Sequence, residues 1–154
     1  MSTYCSLIIT SHSDSRLEKT VQRVLGVSGG HVVDTQTPEM VAEREELLSA
    51  LGIEAPPTPR YFWCLASGEE VASADVQAHI AWVLGKVAAG RRIADIGNSG
   101  CEAHLVCFWP GSGGAGAGVL NAGVVKALAH HATELHFDVH AENDETDAVF
   151  FDLH

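Results

Sequence analysis

Residues 134–140 read Glu134-Leu135-His136-Phe137-Asp138-Val139-His140. Apolar and polar residues alternate without a break. In an extended strand this period of two sends Leu135, Phe137 and Val139 to one face and His136, Asp138 and His140 to the other. A strand of a doubly wound parallel sheet is covered on both faces and reads as a continuous apolar run. A strand with helices on one side only reads as this one does. The stretch therefore predicts an α+β fold: a mainly antiparallel sheet of about four to six strands, ferredoxin-like or an extended variant, with helices on one face. The repeated strand–helix order leaves a doubly wound α/β fold as the alternative.

Working back along the chain, 103–109 (AHLVCFW) and 60–66 (RYFWCLA) are strand candidates rich in aromatic and branched residues. Shorter ones are expected at 6–10 and 31–34. Helices are expected from a capping box at Ser15 and Glu18 to Gly26, and from Thr37-Pro38 to Gly52. Two more are expected over 73–89 and 119–132. The second carries an apolar stripe of Met40, Val41, Leu47, Leu48 and Leu51, with Glu39, Glu43, Arg44, Glu45 and Glu46 on its other face. The last places Val124, Val125 and Leu128 inward. With 154 residues, one domain (1–154) ending in an acidic tail (141–154) is the simplest organisation. The N-terminus has no basic stretch before its short apolar run, and no run reaches the length of a membrane helix. A cytoplasmic protein with no membrane partner is the expectation.

The formal net charge is −11. Phosphate is repelled by such a chain, so nucleic acid is not an expected partner. A basic protein is. Asp138, Glu142, Asp144, Glu145 and Asp147 are the candidate partner-binding residues, since no Lys or Arg follows Lys126. Apolar residues Val149, Phe150 and Phe151 close the tail and offer a homodimer contact. The four cysteines, Cys5, Cys64, Cys101 and Cys107, form no zinc spacing and are read as reduced thiols. Cys101, after Asn98-Ser99-Gly100, is the one expected to be exposed.

Two patterns suggest chemistry. Residues 111–116 (GSGGAG) match G-x-G-x-x-G after a strand and before a helix, so Gly111, Gly113 and Gly116 are candidate phosphate-loop residues within the Gly111–Gly118 loop. Asp138 lies 22 residues past Gly116, where an acidic residue holds ribose. The motif comes late in the chain, however, with too little sequence after it for a further βαβ unit. The second pattern is histidine: His104, His136, Asp138 and His140 could share the polar face of the sheet and supply metal ligands. Three ligands from one strand spread over about 13 Å, so His104 would have to complete any set. Ordinary surface histidines are the plain reading of the same pattern.

The order of landmarks in the second half is distinctive. Trp63 on a strand is followed by Ser67, by His79-Ile80-Ala81-Trp82 on a helix, by Ile93 and Ile96, by a strand ending in Trp109, by the glycine loop and by Leu128. The first helix closes on Val24-Leu25-Gly26. Over about residues 60–140 this resembles the bacterial family called domain of unknown function 4279. That family's last strand usually ends in Tyr, where this chain has His140. The resemblance implies a small bacterial α+β protein and assigns no catalytic residue. With the acidic balance, it leads to the expectation of a non-catalytic protein-binding module, immunity-like or regulatory, that carries no cofactor. The alternative is a metal- or nucleotide-dependent enzyme using the His104/His136/Asp138 face or the glycine loop.

Overall fold

Strand β1 (Tyr4–Ser11) alternates Cys5, Leu7 and Ile9 with Ser6, Ile8 and Thr10, and the first set is wholly buried. It is the middle of a five-stranded sheet in the computed structural model, which describes residues 3–53, 59–109 and 119–139. The spatial order is β2 (His31–Asp34), β3 (Tyr61–Ala66), β1, β4 (Glu102–Trp109), β5 (Glu134–Val139). The first three neighbouring pairs are antiparallel, and only β4 and β5 run parallel.

Strands β1 and β2 both oppose β3, so they run parallel to each other with β3 between them. Helix α1 (Leu17–Leu25) joins β1 to β2, and α3 (Val76–Gly85) lies between β3 and β4. This is the split βαβ arrangement of ferredoxin-like folds. Two additions extend it. Helix α2 (Pro38–Leu51) is inserted between β2 and β3, where the plain plan needs only a turn. Helix α4 (Ala122–His131) crosses from β4 to the parallel strand β5. The α+β expectation holds, and the doubly wound alternative survives only in that last βαβ unit.

The core lies on one face of the sheet. Cys5, Leu7, Ile9, Trp63, Leu65, Leu105 and Cys107 meet Leu17, Val21 and Leu25 of α1, Val76, Ile80 and Val83 of α3, and Ile93 and Ile96 of a 3-10 segment (Ile93–Ser99). Leu17, Val21 and Leu25 recur at one helical face, which is why a nine-residue helix can seat itself firmly. Its last carbonyls are all taken. Gly26 N–H donates to Gln22 O, the Arg91 guanidinium to Arg23 O and Val24 O, and Ala88 N–H to Leu25 O.

Several local expectations are corrected. Ser15 is no cap, since Arg16 occupies that position. Asp14 organises the turn instead, accepting from Arg16 N–H and the Thr20 hydroxyl. Helix α3 starts later than expected because Asp75 caps it by accepting from Gln77 N–H, and α4 starts at Ala122 because Asn121 accepts from Val124 N–H. Val125 is half exposed, as Val124, Ala127 and Leu128 take the inward face. Phe137 sits in register with Cys107 on the core side yet stays 42% exposed, because β5 is at the sheet edge. Helix α2, despite its stripe, contains no buried residue.

Candidate functional site on the outer face of β4 and β5

The parallel register sets Glu134 beside His104, His136 beside Val106 and Asp138 beside Phe108. In paired strands, residues in register share a face. Glu102 and His104 of β4 therefore lie on the same outer face as Glu134, His136 and Asp138 of β5. Farther along, Tyr4 of β1 stacks on Phe108 with ring centroids 5.4 Å apart.

The His104 and His136 rings meet edge to face, 5.3 Å between centroids. His136 Nε2 donates to Glu134 Oε2 at 3.1 Å. Both ends of that contact are exposed, so it contributes little to stability. Partial burial, and then the neighbouring His136 ring, hold His104 below the usual histidine range. Both effects favour the neutral imidazole, the form that can serve as ligand or acceptor. A groove of about 360 Å³ opens at the start of the two strands, lined by Ile93, Cys101, Glu102, His104, Thr133 and Glu134 among others.

Of the candidate histidines, His104 and His136 come together. Asp138 stands two residues farther along β5, about 7 Å on. Among the described residues no three His, Cys, Asp or Glu side chains are grouped to hold one metal ion. His140, Glu142, Asp144, Glu145 and Asp147 lie outside the described residues, as do Gly111, Gly113 and Gly116 and the Val149–Phe151 tail.

A second polar cluster was not legible as a unit in the sequence. Ser67 Oγ and His79 Nδ1 are 2.6 Å apart, and His79 Nε2 is 2.6 Å from Ser73 O. A carbonyl only accepts, so the ring donates from Nε2 to Ser73 O and accepts a hydrogen bond from the Ser67 hydroxyl at Nδ1. Ser67 Oγ accepts in turn from Cys5 N–H. The pairing has the look of a nucleophile and its base, but Ser67 and His79 are both 0% exposed, and nothing can reach the oxygen. It is a clamp joining β1, the end of β3 and α3. Twelve residues separate its two members, and no spacing rule couples them.

The cysteines also differ from expectation. Cys101 is buried, as are Cys5 and Cys107, and Cys64 is the half-exposed one. Cys101 directly precedes β4 and continues the inward-facing positions Ala103, Leu105 and Cys107 into the core. All described cysteines are free. Cys107 beside it and burial push the Cys5 thiol up, and burial raises Cys64 and Cys101. Thiol reactivity follows the thiolate fraction and access. Native protein treated with dithiobisnitrobenzoate should therefore label Cys64 first, and the other three only on unfolding. Mass mapping of early adducts checks this, and equal labelling of Cys101 would contradict it.

Fold and site together define a small acidic α+β protein whose sheet packs its helices on one face and carries polar residues of β4 and β5 at one edge of the other. Among the described residues no helix is long and apolar enough to cross a membrane. Comparison with family models, with curated proteins and with solved structures found no match.

Proposed function

We propose that this chain is a non-catalytic protein-binding module, immunity-like or regulatory, which takes a basic protein partner on the acidic edge of its sheet. One observation carries the reading: Glu102, Glu134 and Asp138 stand exposed together on the outer face of β4 and the edge strand β5. Carboxylates on an exposed strand edge discourage pairing with other strands and attract cations. The overall charge of −11 extends the attraction beyond the contact itself.

The test is charge reversal. A partner captured from host extract and then purified should bind the Glu134→Lys, Asp138→Lys protein at least tenfold more weakly, equivalent to about 1.4 kcal/mol. Its lysines should cross-link to Glu134 or Asp138. Unchanged affinity, or turnover of a substrate in a hydrolase and oxidoreductase panel, would defeat the proposal. The enzyme reading draws on the adjacent His104 and His136 rings. A stoichiometric metal ion in the purified protein, lost in His104→Ala, would favour it instead.

A further inference from the structure

Helix α2 is the one long helix of the described chain that the core does not use. Its 14 residues make a rod about 21 Å long with no buried side chain. Met40 is 42% exposed, Leu47 60% and Leu51 60%. At 3.6 residues per turn these three fall within about 40° of one another, in a single ridge. With Arg44 they recur at intervals of four, three and four, the spacing of a coiled-coil seam. Ile53, just past the helix, is exposed as well.

The two flanks of the ridge differ. Val41, Arg44 and Leu48 are half-buried, so that flank leans on the rest of the protein. The opposite flank carries Glu39, Glu43 and Glu46, all exposed. An apolar ridge beside a row of carboxylates specifies its occupant. We infer that α2 is a docking helix for an amphipathic helix of another protein, one with an apolar seam flanked by Lys or Arg. Its anchors would fill the gaps between Met40, Leu47 and Leu51, and its cations would face Glu39, Glu43 and Glu46. A second copy of this chain fits badly. Two-fold antiparallel packing of α2 on itself would set the glutamate row against its own image, and like charges at flanking positions oppose pairing. The position of α2 in the fold agrees with a dedicated surface. It is inserted at a turn beside the β2 edge, so the sheet and core close without it. The site is at the opposite sheet edge from β5 and is independent of the function proposed above.

The probe is a fluorescent 21-residue peptide with leucine at its heptad seam positions and lysine elsewhere, titrated into the full-length protein. A matching leucine–glutamate peptide is the control. The lysine peptide should bind and the glutamate peptide should not. Leu47→Gln with Leu51→Gln, which leaves the charge unchanged, should weaken binding at least tenfold with an unaltered circular-dichroism spectrum. Glu43→Lys with Glu46→Lys should weaken it at least fivefold and transfer preference to the glutamate peptide. Glu134→Lys with Asp138→Lys should change it less than twofold, which keeps this test separate from that of the β5 face. Four results would overturn the inference: binding indifferent to the leucine variants; a concentration-dependent dimer abolished by Leu47→Gln; tighter peptide binding after Phe150→Ser and Phe151→Ser, which would assign the ridge to the chain's own tail; or equal binding to phosphatidylglycerol vesicles.

Discussion

Gly30→Ala should lower the stability of the folded protein by about 3 kcal/mol, the upper part of the range for overpacking a closed interior. Gly30 lies directly before β2 with its backbone against the indole of Trp63. A methyl group on its Cα would overlap the ring at Cε2, Cζ2 and Nε1. Trp63 is 0% exposed and fixed on β3, between β1 and β2, so the ring has nowhere to retreat. The backbone cannot retreat cheaply either, since His31, next in the chain, pairs with Cys64. A urea denaturation curve reads the loss as a lower midpoint at constant slope. The cause is steric, which a double-mutant cycle shows. Trp63→Phe should destabilise the parent protein yet cost much less, or stabilise, in the Gly30→Ala background. Additive effects would mean that the contact is not the origin of the loss.

His79→Ala should be comparably severe, at about 3–5 kcal/mol. The substitution removes a fully buried aromatic ring and leaves a cavity. It also strips the Ser67 hydroxyl and the Ser73 carbonyl of their partner. Ser67→Ala should cost about 1–3 kcal/mol, because Cys5 N–H loses its acceptor and His79 Nδ1 its donor. The pair belongs to one network, so its losses should not add. Ser67→Ala with His79→Ala removes both members of the pair, and should be less destabilised than the two single changes summed by at least about 1 kcal/mol. Denaturation of the four proteins measures the coupling. Strict additivity would reduce the clamp to two unrelated buried residues.

Gly30, Ser67 and His79 were all visible in the sequence, but not the reason for them. Gly29-Gly30 reads as a turn, and at Gly29 the backbone does take a positive φ of 90°. At Gly30 the constraint is a ring 33 positions away. Ser67 and His79 each stand out only as landmarks of a family resemblance, and the bond between them depends on how α3 packs back over β3. The outer face of β4 and β5 was more legible. Strand alternation placed His136 and Asp138 together, and the polar position of His104 hinted at the rest. Only the parallel pairing of β4 with β5 made His104 and His136 neighbours.

The surprise of α2 has the same root. Its apolar and charged residues segregate by face far less sharply than those of α1, so its stripe is a weaker signal for burial. Helix α1 crosses over the sheet and covers Trp63 and Leu65, whereas α2 replaces a turn at the edge and has no sheet beneath it. Amphipathicity shows that a helix has a face to cover, but not what covers it.

By itself, the chain of residues determined the type and order of the elements and the one-sided covering of the sheet, the latter from seven alternating residues at 134–140. Those features rest on local periodicity and local capping, which neighbours in sequence decide. The insertion of β3 between β1 and β2, the isolation of α2, the burial of Cys101 and the sealed Ser67–His79 clamp were settled by tertiary structure. Each depends on which distant surfaces meet, and burial is a property of the assembled surfaces.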